Sequence, residues 1–125
     1  MIEHAGLPIP AAQFDDMVAF FEAVLAPLGY SKMMEFPGRA VCLGTSSERD
    51  WWLVKNEDGS RVAKGLHFAF RAGDKKAVEE FYRIALEKGA KDNGEPGIRE
   101  QYAPNYYAAF VRDPTGNNIE AVCKV

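Results

Sequence analysis

Two histidines and one glutamate carry most of the metal-binding chemistry that this chain can offer. His4 lies in "IEHAGLPIP", His67 in "GLHFAFRAG", and Glu120 in "RDPTGNNIEAVCKV". Neutral imidazole and carboxylate are ordinary ligands for Zn, Fe, Ni and Mn. Two His and one carboxylate can occupy one face of an octahedral ion, leaving three positions for water, substrate or dioxygen. Taken singly, a strand histidine is more often a hydrogen-bonded packing residue, and a glutamate at such a position is more often solvated. The three are far apart in sequence, so their chemistry depends on a fold that brings them together.

The chain repeats itself. Its first half runs "IEHAGLPIP", "FDDMVAFFEAVLAPLGY", "GRAVCLG", "DWWLVK", and its second "GLHFAFRAG", "DKKAVEEFYRIALEKGAK", "YYAAFVRD", "NNIEAVCK". Each half reads strand, helix, further strands, with a histidine in the opening strand, an aromatic pair in the helix, and a glycine, Gly29 or Gly89, at the helix end. Phe14, Met17, Phe21, Val24 and Leu28 recur at three- and four-residue steps and predict one buried stripe, with Asp15 and Asp16 in the first turn. In the second helix Asp74 is the expected N-cap and Val78, Phe81, Ala85 and Leu86 the apolar stripe. Gly89 suits the left-handed residue after it.

Strand alternation sorts the candidate residues onto faces. Leu7 and Ile9 share one face of the opening strand, and His4 the other with Gly6. Leu66, Phe68 and Phe70 lie opposite His67, which has Gly65 and Ala69 as small neighbours. Ile119, Ala121 and Cys123 lie opposite Glu120. Bulky residues therefore take the face expected under the helices, and the polar candidates take the other, where small neighbours leave space. Trp51 and Trp52 point to opposite faces, one toward the core and the other, Trp52, toward a cavity. Tyr107, with Tyr102 and Tyr106, is a candidate to line the same pocket. "KNEDGSRVAKG" reads as a polar connector, "KDNGEPGIREQYAPNY" as mostly surface loop around one short strand, and "PAAQF" and "MMEFPGRA" as shorter breaks.

Composition narrows the partners. The net charge of -3 offers no basic footprint for nucleic acid. No apolar run approaches the ~20 residues of a membrane span. Met1-Ile2-Glu3-His4 lacks the basic start and hydrophobic centre of a signal peptide, so the expected compartment is the cytoplasm. Cys42 and Cys123, without metal-type spacing, are expected as buried thiols rather than a disulfide. A chain of 125 residues is expected to be one domain, with a first module over about 1–58 and a second over about 61–125.

The two-module layout, with "IEHAGLPI", "GLHFAF" and above all "FVRDPTGNNIEAV", resembles the vicinal oxygen chelate superfamily, which includes glyoxalase I, fosfomycin resistance proteins, extradiol dioxygenases, methylmalonyl-CoA epimerase and bleomycin resistance proteins. The resemblance spans essentially the whole chain. It implies an α+β fold of two βαβββ modules forming a U-shaped mixed sheet, with helices on the outer face. It also implies a divalent ion (Fe(II), Zn, Ni or Mn) held by His4, His67 and Glu120, a small oxygen-bearing substrate, and a homodimer. The implied chemistry is Lewis-acid stabilisation of an oxyanion or enolate, in a lyase/isomerase-like or dioxygenase-like reaction. The fourth ligand of glyoxalase I and the epimerase, a Glu or Gln, would fall in "DWWLVK", where Trp52, Leu53 and Val54 cannot ligate. Extradiol enzymes use a further histidine as acid-base catalyst, and both histidines here are already assigned. The alternative that the resemblance allows is a non-catalytic protein of the bleomycin-resistance type that sequesters a ligand.

Overall fold

Seven apolar side chains, Phe14, Met17, Val18, Phe20, Phe21, Val24 and Leu25, are buried along a helix at Phe14–Leu25, α1. The computed structural model describes residues 1–58 and 64–125. It divides into two compact units, Met1–Ala63 and Lys64–Val125. Part of the connector expected over Lys55–Gly65, and the start of the second module expected at about 61, lie outside the described residues.

The first unit runs β1 (Ala5–Pro10), α1, β2 (Ser31–Phe36), β3 (Ala40–Gly44) and β4 (Trp51–Asn56). Its sheet has the order β1-β4-β3-β2, with β1 parallel to β4 and the other pairs antiparallel. The second unit repeats the plan with β5 (His67–Arg71), α2 (Lys75–Glu87), β6 (Lys91–Ile98), β7 (Tyr106–Arg112) and β8 (Asn118–Lys124), in the order β5-β8-β7-β6. The result is α+β: two βαβββ modules, each with a mixed four-stranded sheet and one helix. In each, the strand that enters the unit lies parallel to the strand that leaves it.

Alternation puts the core where expected. Leu7, Ile9, Val41, Leu43, Trp51 and Leu53 are at most 2% exposed and share the α1 side of the first sheet. Ile119, Ala121 and Cys123 are buried on the α2 side of the second, with Val78, Phe81 and Ala85 from the helix. Gly29 and Gly89 both end their helical segments with φ near +90° or beyond, 90° and 98°, where a side chain would be strained. The Asp74 carboxylate accepts the Ala77 amide at 2.8 Å as the N-cap of α2. Replacing Asp74 with alanine is expected to remove about 1 kcal/mol of stability, read as a lower urea midpoint with an unchanged slope.

Several expectations are corrected. α1 stops at Leu25, and Leu28 falls in a following 3-10 turn, Ala26–Leu28, because Pro27 cannot continue the hydrogen-bond ladder. Leu86 is 39% exposed and lies outside the buried stripe. "KDNGEPGI" is an eight-residue strand, β6, and "SKMMEF" is also a strand, β2. Each is an edge strand, and each pairs through register shifts. An edge tolerates the glycines and proline of β6 because one side of the strand has no ladder to complete. Cys42 and Cys123 are free and buried, and burial pushes both thiols up.

Candidate functional site

Glu120 is 3% exposed, in an interior strand of its sheet. A carboxylate there requires partners, because an unpaired charge in such a place is strongly unfavourable. It has two. Its Oε2 lies 3.1 Å from His67 Nε2, and its Oε1 accepts the Tyr106 hydroxyl. Burial, and then the hydrogen bond to Glu120 and its charge, pushes the Tyr106 phenol up to about 12. At neutral pH Tyr106 therefore keeps its proton and donates a hydrogen bond to the carboxylate.

The other nitrogen of His67 decides what the pair can hold. Nδ1 lies 3.1 Å from the Asn118 carbonyl oxygen. A carbonyl only accepts, so Nδ1 must carry the hydrogen. Nε2 then presents a lone pair to a carboxylate oxygen at 3.1 Å unless something cationic lies there. That is either a second proton on the imidazole or a metal ion. An imidazole that donates one N–H to a backbone carbonyl and turns its other nitrogen toward a carboxylate is arranged as a metal ligand with its outer support in place.

The turn before β8 positions this pair. Asp113 is 3% exposed, and its Oδ1 accepts the Thr115 amide at 2.8 Å, the Thr115 hydroxyl at 2.8 Å and the Asn117 amide at 3.1 Å. Asn117, 1% exposed, accepts the Leu66 amide through Oδ1 at 3.1 Å, while the Asn118 amide donates to the Leu66 carbonyl at 2.7 Å. "DPTGNN" thus ties the residue before His67 to the residues before Glu120.

His4 lies in the first unit, immediately before β1, with 58% of its side chain exposed and Nδ1 against the Glu3 carboxylate. It is not in the opening strand itself, whose pairing begins at Ala5 opposite Trp51. Among the described residues, no group of three or more His, Cys, Asp or Glu side chains is arranged to hold a metal. Extending the β1–β4 register back by one residue sets His4 opposite Asp50. Trp52 then stands in the first unit where Glu120 stands in the second, one diagonal step from the histidine. Trp52 is half-buried and stacked on Phe36, with ring centroids 6.1 Å apart and planes at 18°. Trp51 is the core tryptophan, edge-on to Phe21 at 5.5 Å. Asp50 is taken up by the Tyr30 hydroxyl, which donates to it at 3.0 Å.

Tyr107 is not brought to the His67–Glu120 face. Its hydroxyl donates to Glu79 of α2 at 2.8 Å, which places it on the helix side of the sheet. The tyrosine on the Glu120 face is Tyr106. The β7–β8 register pairs Phe110 with Glu120, so Phe110, Ala108 and Tyr106 share its side.

A family model described as the Glyoxalase/Bleomycin resistance protein/Dioxygenase superfamily matches residues 2–121. This chain belongs to that superfamily. Among solved structures, a glyoxalase/bleomycin resistance protein from Albidiferax ferrireducens T118 is similar with a TM-score of 0.78 at 20% identity, over 94% of this chain and 96% of that one. A family enzyme from Burkholderia phytofirmans PsJN gives 0.76 at 17% identity, over 99% and 98%. Lactoylglutathione lyase from Agrobacterium tumefaciens gives 0.60 at 23% identity, over 94% and 90%. These likenesses show the glyoxalase-superfamily fold. No curated protein matches the chain, and no helix among the described residues is long and apolar enough to cross a membrane.

Proposed function

We propose that this glyoxalase-superfamily chain is a divalent-metal-dependent enzyme acting on a small oxygen-bearing substrate, with His67, Glu120 and His4 as ligands. The observation that carries the reading is the His67–Glu120 pair, in which Nε2 faces a carboxylate oxygen at 3.1 Å while Nδ1 is committed to Asn118. When bound, Fe(II), Zn, Ni or Mn would supply Lewis acidity toward negative charge developing on a substrate oxygen. The chain's own residues orient and support that chemistry. Asn118 fixes the His67 ring, and Tyr106 holds one carboxylate oxygen of Glu120 so that the other faces His67. Tyr106 keeps its proton at neutral pH and is a hydrogen-bond donor beside the site.

Trp52 at the position equivalent to Glu120 weighs against an ordinary glyoxalase I isomerisation, since no carboxylate stands there to move the proton. A lyase/isomerase-like or a dioxygenase-like reaction are the two forms that we propose. From the family resemblance we also propose a homodimer acting in the cytoplasm.

The test is metal content by plasma mass spectrometry, on protein purified without a metal-binding tag. Wild type is compared with His4→Ala, His67→Ala and Glu120→Ala after circular dichroism shows each variant folded. Near-stoichiometric metal in wild type, lost in His67→Ala and Glu120→Ala and reduced in His4→Ala, is expected. Wild-type protein that holds no metal and takes up none from Fe(II), Mn, Ni or Zn would sink this reading. The second reading, ligand sequestration of the bleomycin-resistance type, would then lead. It is favoured by the Phe36–Trp52 stack, with Phe36 48% exposed, on the sheet face away from α1.

A further inference from the structure

β6 contributes backbone where most strands contribute side chains. A Cβ at Gly94 would stand 3.0 Å from the Phe110 ring and 3.1 Å from Arg99 Nη2, and one at Gly97 would stand 3.2 Å from Arg99 Nη1. The Arg99 guanidinium occupies the room that these glycines leave. Its Nη2 donates to the Glu95 carbonyl at 2.6 Å, and the Phe110 ring lies 5.3 Å away beneath the cation. Bare backbone, a carbonyl and a ring face together hold the planar fork in one orientation. Arg99 is half-buried, and among the described residues no acidic side chain forms an ion pair with it.

Arg99 lines a cleft of about 280 Å³ with Asn93, Gln101, Tyr102, Phe110 and Asn118. That volume is near the small end of the ~300–1,000 Å³ typical of ligand sites. Two residues join the cleft to the His67–Glu120 pair. The Phe110 ring that carries the guanidinium also stacks with the His67 ring, at 6.3 Å and 26°. Asn118 accepts the Asn93 amide on its side chain at 3.2 Å and supports His67 Nδ1 with its backbone carbonyl. The cleft and the pair are therefore neighbours in one unit, on one face of one sheet.

We propose that this cleft binds the carboxylate of the substrate, with Arg99 as the residue that selects for that charge. The inference rests on the proposed enzymatic reading of the His67–Glu120 site and names its substrate class: a small carboxylate that also bears an oxygen for the metal. A guanidinium fork matches the two oxygens of a carboxylate. It also matches a phosphate, but Arg99 is the one charged side chain among the lining residues, and the rest of the polar lining is amide and phenol. One cation balances a monoanion and leaves a dianion half unmatched. The exposed Tyr102 ring offers an apolar surface for a body behind the charge.

The experiment titrates isotope-labelled full-length protein with benzoate, phenyl phosphate and benzyl alcohol, following backbone amides by NMR. Benzoate is expected to shift Asn93, Gln101 and Asn118 saturably. Its affinity should fall about tenfold or more in Arg99→Gln and less in Arg99→Lys. Benzyl alcohol should bind weakly and alike in wild type and both variants. An absence of benzoate shifts at those amides, or equal benzoate affinity in wild type and Arg99→Gln, overturns the proposal. Tighter binding of phenyl phosphate than of benzoate overturns the choice of carboxylate. Metal content is measured on the same samples and is expected to be unchanged by Arg99→Gln. A metal-free wild type marks failure of the enzymatic reading, whereas failure of the present inference shows in the benzoate titration.

Discussion

Replacing Asp113 with alanine is expected to remove about 3 kcal/mol of stability and to release His67 from its place beside Glu120. Oδ1 of Asp113 alone accepts three hydrogen bonds, one of them from the buried Asn117 amide. Alanine leaves those donors without an acceptor, and stranded buried donors lose more than the mean worth of a hydrogen bond. The loss propagates because Asn117 and Asn118 are the residues that hold Leu66 and His67. Urea unfolding should show the lower midpoint, with a fall in melting temperature of roughly 10 °C. NMR of the His67 ring should show loss of its bond to the Asn118 carbonyl. Asp113→Asn keeps an acceptor at Oδ1 and should retain most of the stability. If Asp113→Ala is as stable as Asp113→Asn, the turn is not the organiser described above.

A second large effect is expected in the first unit. Phe21 is 0% exposed, edge-on to Phe20 at 5.3 Å and to Trp51 at 5.5 Å. Phe21→Ala removes a fully buried ring and leaves a cavity that its aromatic neighbours can only partly fill, so a loss of about 3–5 kcal/mol is expected. Against a typical total of about 5–15 kcal/mol this is a large share. Chemical unfolding should measure it, and red-shifted tryptophan emission should report the wetting of Trp51. Phe21→Leu should recover much of the loss by restoring apolar volume. Near-wild-type stability of Phe21→Ala would mean that α1 does not anchor its sheet through this residue.

The helices were legible because their signals are local: an Asp cap, an apolar stripe and a terminal glycine each act within one or two turns. The faces of β1, β5 and β8 were legible for a related reason, since period-two alternation needs no partner strand. β6 was hidden because Gly94, Pro96 and Gly97 read as loop until an edge position and register shifts make room for them. The exchange of Tyr106 for Tyr107 has a sharper cause. Two adjacent tyrosines always point to opposite faces, and which one joins Glu120 depends on the β7–β8 register. The Asp113–Asn117 turn sets that register and pairs Arg112 with Asn118. A turn one residue longer or shorter on the β7 side would have favoured Tyr107. Arg99 was visible as a charge, but what marks it is the missing side chains opposite, and those matter only once β6 is folded against Phe110.

The parallel pairing of β5 with β8 also governs how the second unit closes. His67 and Glu120 are 53 residues apart in sequence. The hairpins among β6, β7 and β8 can form over short stretches of chain, while β5 must be captured across a long loop. Closing such a loop is entropically demanding, though each doubling of its length adds only about 0.6 kcal/mol, and contacts of this kind form slowly. A ligand that grips both residues is therefore a clasp between the entering and leaving strands. The binding free energy of any such ligand would favour the closed pairing of β5 with β8.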